Sequence, residues 1–189
     1  MSNARAWLFR GLVLAFGGLL VFSWFRPWWA VGIVEEEGAQ NVWLHPWGIE
    51  VTKEAKTYID LTAAQMPGWF TPAMWAYLGI VIAALLFSLW AKDKELNIWK
   101  VRLTLPSLTI GVVGFSYIAL LVTAVTVLRI KLADFGVPLT GRSITDYIDE
   151  IEGYVNLITG LQFGYWLAIA AGTSLIVVAL LRSKIIGKR

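Results

Sequence analysis

The residues able to do chemistry gather in one stretch, Phe25 to Val51 (FRPWWAVGIVEEEGAQNVWLHPWGIEV). It holds the single histidine, His45, with four acids, Glu35, Glu36, Glu37 and Glu50, and four of the eleven tryptophans, Trp28, Trp29, Trp43 and Trp47. An imidazole near carboxylates has the right ligand types for a metal. One histidine, however, falls short of the ligand sets that hold zinc. A haem held between helices calls for axial side chains on those helices, whereas His45 stands in a loop beside Pro46. No Ser-His-Asp pairing can be built, because no motif surrounds His45. Glycine-rich phosphate loops and HExxH are absent. Without cysteine there is no disulfide, thiolate nucleophile or Cys-ligated metal. The residues therefore predict no catalytic group, no cofactor and no metal site. Tryptophan gives the stretch its other meaning, since amphipathic indoles collect where hydrocarbon meets headgroups. Trp28, Trp29, Trp43, His45 and Trp47 form a candidate interaction surface.

A second candidate surface comes from small residues. Gly160, Gly164, Ala168 and Gly172 recur at every fourth position, the small-xxx-small pattern that lets helix backbones approach closely in lipid. Such a stripe either packs inside its own bundle or forms a seam with another chain. Ser107 with Gly111, Gly79 with Ala83 and Gly11 with Ala15 are shorter versions, expected to be internal.

These residues have to be positioned by hydrophobic spans. Of the 189 residues 58 % are hydrophobic, and the mean hydropathy of +0.66 is too high for a soluble domain of one-domain length. Four transmembrane spans are expected, at 7–28, 72–91, 106–128 and 157–181, each near the ~20 residues that cross ~30 Å of hydrocarbon. The predicted fold class is an all-α integral membrane protein. It is a four-transmembrane-helix bundle with a folded outer cap of a short β-hairpin and amphipathic helices. The outer loops are 29–71 and 129–156, and 1–189 is a single membrane domain. The first span is an anchor and not a cleaved signal, because Phe25-Arg26-Pro27-Trp28 lacks a small-residue cleavage site.

In the first outer loop, Trp29–Ile33 is expected to pair with Asn41–Leu44, across an acidic segment containing glycine. Thr52 to Met66 has apolar residues at helical spacing, and Thr71-Pro72 reads as the N-cap of span two. Ser143 with Asp146 resembles a capping box, opening a helix on which Ile144, Tyr147, Ile148, Ile151, Val155 and Ile158 form one stripe that runs into span four.

Charge sets the expected orientation. The net charge of +3 hides an asymmetry. The N-terminus, the Lys92–Leu105 linker and the tail hold ten of the sixteen Lys and Arg, while the two long loops hold eleven of the thirteen acids. Basic residues favour the cytoplasmic side. Both termini are expected in the cytoplasm of a multi-pass plasma-membrane protein. The basic residues sit at span ends and form no patch of their own, so nucleic acid is not an expected partner. No charged side chain falls within the core of a span, which argues against a proton-coupled carrier. The polar residues there, Ser23, Tyr117 and Ser88 among them, are expected to bond to their own backbone or to a neighbouring helix.

The Pro27-Trp28-Trp29 run, followed by Trp43-Leu44-His45-Pro46-Trp47, resembles the Pro-x-Trp and Trp-x-Gly-Leu-Trp motifs of the claudin and peripheral-myelin-protein group. In this chain His45-Pro46 replaces Gly-Leu, and Glu50 stands near the place of the first loop cysteine. The resemblance implies four spans, both ends inside and strands in a long first outer loop. It also implies a non-enzymatic protein that works through lateral and face-to-face contacts.

The function that follows is that of a non-enzymatic tetraspan, a structural or accessory subunit. It meets membrane lipids and other membrane subunits or further copies of itself through the Trp-rich loops and small-residue helix faces. The alternatives are an oligomeric channel or transporter component, and a membrane subunit of a quinone- or lipid-handling enzyme complex.

Overall fold

The computed structural model describes residues 3–35, 38–51, 66–91, 95–98, 101–134, 136–146 and 154–186. In chain order its elements are α1 (Asn3–Trp24), β1 (Trp29–Glu35), β2 (Gly38–His45), β3 (Gly48–Val51), α2 (Phe70–Trp90), β4 (Glu95–Ile98), β5 (Val101–Thr104), α3 (Leu105–Asp134), β6 (Gly141–Asp146), β7 (Tyr154–Leu161) and α4 (Phe163–Ile186). All four helices are long and apolar enough to cross a membrane. The contacts divide the chain into two compact units.

The first unit comprises Met1–Ser23, Trp75–Leu121 and Leu167–Arg189; its described elements are parts of the four helices and the β4–β5 hairpin. Its core draws on all four helices: Val13 and Leu20 of α1, Val81 and Leu85 of α2, Ile110 and Leu121 of α3, and Ala171 and Leu175 of α4. Lipid tails are as apolar as these side chains, so close packing and interhelical hydrogen bonds must hold such helices together. Both are present. Gly114 of α3 and Gly172 of α4 allow the two backbones to meet: a Cβ on Gly114 would lie 2.8 Å from the Gly172 carbonyl oxygen. Ser23 and Tyr117 share a buried hydrogen bond of 2.8 Å between α1 and α3, and Tyr77 and Ser116 share one of 3.1 Å between α2 and α3. Ser23 also donates to the Leu20 carbonyl and Ser88 to that of Leu85, as expected of hydroxyls in a span.

The second unit comprises Trp24–Met74 and Val122–Trp166. It is built on a five-stranded antiparallel sheet in the order β3-β2-β1-β7-β6. The expected hairpin is present, with Trp29 opposite Leu44 and Gly32 opposite Asn41. Each long loop contributes strands, and β1 joins the two sets by pairing with β7.

Several expectations are corrected. The helix expected from Ser143 onward is not formed by the residues described there, since Ser143 and Ile144 lie on β6 and Val155 and Ile158 on β7, while Tyr147, Ile148 and Ile151 lie outside the described residues. Rich in β-branched residues, the segment takes its backbone partners from β1, and helical periodicity cannot reveal a partner so far away in sequence. Span four accordingly begins at Phe163 and not at Leu157. Span three runs beyond Leu128 to Asp134, because Arg129 and Lys131 remain on an exposed helical surface. The helix stops at Gly136. There, at a φ of 67°, the Gly136 N–H reaches the Ala133 carbonyl and the Val137 N–H that of Leu132, the Schellman ending that favours glycine. The linker between spans two and three contains the β4–β5 hairpin. The amphipathic helix expected over 52–66 lies almost wholly outside the described residues.

Candidate functional site

The tryptophan-bearing stretch folds into the sheet and its entry turn. Trp28 lies just before β1, where its N–H donates to the Leu44 carbonyl and its own carbonyl accepts from the Gln162 N–H. Its buried indole meets that of Trp24 edge-on, with centroids 6.4 Å apart. Trp29 is buried too, and its Nε1–H donates to the Leu139 carbonyl at 2.7 Å. A buried indole N–H needs such a partner; this one pins the segment leading into β6. Trp43 is half-buried on β2, opposite Ala30 on one side and Glu50 on the other.

His45 ends β2, and Pro46-Trp47 turns the chain into β3. Its ring is 7 % exposed and stacks on Trp47, with centroids 4.8 Å apart and planes 19° apart. Nε2 lies 3.2 Å from a carboxylate oxygen of Glu50, which is 57 % exposed. Burial lowers the His45 pKa below its ordinary value, and the Glu50 charge and hydrogen bond only partly offset this. The neutral ring therefore donates through Nε2–H, while Nδ1 is buried without a hydrogen-bond partner. Among the described residues no group of three His, Cys, Asp or Glu could hold a metal ion. The His45–Trp47–Glu50 cluster ties the end of β2 to the turn and to β3.

That role extends to α2. The Thr71 hydroxyl, expected to cap its own helix, instead donates to the Trp47 carbonyl at 2.8 Å. The β2–β3 turn is thereby fastened to the first turn of α2. Gln162, at the junction of β7 and α4, donates its side-chain amide to the Gly160 carbonyl.

The small-residue stripe divides. Gly160 belongs to β7, opposite Ala30, with open space where a Cβ would stand. It is not on the helix at all. The other three are helical and packed by their own chain. A Cβ on Gly164 would lie 2.6 Å from the Pro27 carbonyl oxygen and 2.7 Å from that of Arg26. Ala168 is fully buried, and a Cβ on Gly172 would meet Ile118 at 2.9 Å. No room remains on these positions for a helix from another chain. Of the shorter pairs, Gly111 faces Ala179 of its own bundle, but Gly11 and Gly79 face open space.

Two positions escaped sequence reasoning. Gly114 sets its backbone against that of Gly172, and only its spacing three residues after Gly111 hints at that. Arg182, which reads as the start of a basic tail, is buried; Nη1 donates to the Thr104 hydroxyl at 2.7 Å and the guanidinium lies 5.2 Å from the Phe9 ring centroid.

Compared with known proteins, the chain matches no family and no curated sequence.

Proposed function

We propose that this is a multi-pass integral protein of the plasma membrane, with both termini cytoplasmic. It acts as a non-enzymatic structural or accessory subunit through contacts made by its tryptophan-bearing sheet. One observation carries the membrane reading: the four long helices expose long apolar stretches, with Leu14, Ile80, Phe87, Val112, Phe115 and Leu180 all turned outward. In water such surfaces would be an aggregation liability, and in hydrocarbon they are the required exterior. The ends of α2 agree. Trp69, just before the helix, and Trp90, its last residue, are both exposed, and the ~30 Å rise of a 21-residue helix matches the ~30 Å hydrocarbon core that aromatic belts flank.

The accessory role rests on the site. What supports it is that the buried tryptophans and the His45–Trp47–Glu50 cluster tie strands and turns of the sheet together. The likeness to the claudin and peripheral-myelin-protein group supports this, because strands in a long first outer loop are what that likeness implies.

Since the chain has no cysteine, single substitutions Glu36→Cys and Lys94→Cys report topology directly. With an impermeant thiol reagent on intact cells, Glu36→Cys is expected to label and Lys94→Cys to label only after lysis. Labelling of both from one side would refute the topology. Recovery of the chain in the soluble fraction would refute the membrane reading.

A further inference from the structure

Within the first unit, α3 and α4 leave a groove of about 320 Å³ between them. Its floor is made of small, largely buried residues, Ser107 and Gly111 of α3 and Ala179 of α4, and a Cβ on Gly111 would meet that of Ala179 at 3.6 Å. Its walls are apolar, with Val112, Phe115 and Leu180 each more than half exposed. Along α3 the groove runs from Ser107 to Ser116, ~13.5 Å of helix rise, which is nearly half of the ~30 Å hydrocarbon core. Ser107 stands in the first turn of α3, so one end lies at the membrane interface and the other near the midplane.

The interfacial end is polar, and its hydrogen bonds have a direction. Arg182 is buried, and its Nη1–H donates to the Thr104 hydroxyl at 2.7 Å. A guanidinium only donates, so Thr104 accepts from it and passes its own hydrogen to the Ser107 hydroxyl at 3.1 Å. Ser107 therefore accepts from Thr104, and among the described residues its own hydrogen has no acceptor. That donor is left for an occupant of the groove. Lys184 adds a charge: it is exposed, one helical turn beyond the groove-lining Leu180 and on the same face of α4.

We propose that the groove holds one acyl chain of an anionic glycerophospholipid from the cytoplasmic leaflet. The chain lies along Gly111 and Ala179, an ester or phosphate oxygen accepts from Ser107, and the headgroup charge faces Lys184. A trough one leaflet long suits a lipid chain, whereas a transmembrane helix would need a seam across the whole core. A free donor and an ammonium at its end both favour a negative occupant, and basic sites between membrane helices on the cytoplasmic side recognise anionic headgroups in this way. The site rests on the membrane reading proposed above and names the lipid that reading leaves open.

The test uses the full chain in mild detergent, given palmitoyl-oleoyl phosphatidylglycerol or the phosphatidylcholine with the same two chains, with bound lipid read by native mass spectrometry. One phosphatidylglycerol should be retained, about fivefold more tightly than phosphatidylcholine, and inorganic phosphate should not compete. Lys184→Gln should remove that preference. Ser107→Ala should weaken both lipids about tenfold, because ester and phosphate oxygens are common to them. Gly111→Leu should fill the groove and release both. Thermal melting reports whether each variant is folded, and if Gly111→Leu is not, the other two variants decide.

Equal retention of the two lipids, an unchanged preference in Lys184→Gln, lipid kept by a folded Gly111→Leu, or full competition by phosphate would overturn the site. So would a dimer that Gly111→Leu dissociates, since a second copy would then occupy the groove. A chain that inserts and labels as expected but retains no lipid refutes the site alone. A chain recovered soluble that still binds phosphatidylglycerol through Ser107 refutes the membrane reading and leaves the site standing.

Discussion

Adding one methyl group at Gly164 should cost this protein more than the same change at any glycine whose neighbour can move. In Gly164→Ala the new Cβ would stand 2.6 Å and 2.7 Å from the carbonyl oxygens of Pro27 and Arg26, and 2.8 Å from the Arg26 Cβ. Two of these atoms are backbone, in the turn that leads from α1 into β1, and cannot rotate away. Overpacking of this kind costs about 1–3 kcal/mol, and a rigid neighbour places it in the upper half of that range. Replacing glycine by alanine within a helix returns up to ~1 kcal/mol, less for a residue in the first turn. The net loss is about 1–2 kcal/mol. Gly114→Ala should behave similarly, since its Cβ meets the Gly172 carbonyl oxygen at 2.8 Å. Gly172→Ala should lose less, because the nearest atoms are the far end of the Ile118 side chain at 2.9 Å and 3.0 Å. Gly11→Ala and Gly79→Ala meet nothing within 4 Å and should be neutral or stabilising. Thermal unfolding in mild detergent, followed by tryptophan fluorescence, ranks the five variants. If Gly164→Ala melts with the wild type while Gly11→Ala does not gain, the close approach of α4 to the Arg26-Pro27 turn is wrong.

Three further outcomes follow from the hydrogen-bond geometry. Tyr117→Phe removes the bond shared with Ser23 and should lower stability by about 0.5–1.5 kcal/mol, with Ser23→Ala giving little further loss in the double variant; additive losses would show that the two do not bond. Thr71→Val should loosen the β2–β3 turn by about 1 kcal/mol, read as faster amide exchange at Trp47 and Gly48, and unchanged exchange there would count against the clamp. His45 supplies a pH test. Its pKa is lowered in the fold, so its contribution is complete above the unfolded value near 6.5 and is lost as pH falls through the folded value, with a slope of at most about 1.4 kcal/mol per pH unit. His45→Gln should flatten the stability profile below about pH 6.5, and an identical acid slope in wild type and variant would refute the assignment.

How much of this was legible in the sequence depended on the distance over which each element is decided. The four helices follow from uninterrupted apolar length, which is local, and so does the β1–β2 hairpin, whose strand formers flank a short acidic connection. The end of α3 was decided by Gly136 and not by the first charges, because Arg129 and Lys131 sit on an exposed helical face that tolerates them. The β6–β7 pair was hidden for a different reason. Ile144, Val155 and Ile158 fit a period of 3.6 as well as they fit strands, and the deciding partner is β1, in the other long loop. The site shows the same division. Tryptophan composition pointed to the right stretch, yet no pattern in it shows that Trp29 holds Leu139 or that Thr71 abandons its own helix for Trp47.

Those long-range ties explain why the two long loops behave as one surface. The Trp28 backbone is bonded on both sides, to Leu44 in β2 and to Gln162 at the entry to α4. The same turn supplies the carbonyls against which Gly164 packs. The exit of the first helix, the central strand and the entry of the last helix are therefore set by a single short run, Arg26-Pro27-Trp28. A change in that run must therefore be felt in both long loops. For the contact role proposed above this matters, because a surface held in one conformation beforehand loses little freedom on binding.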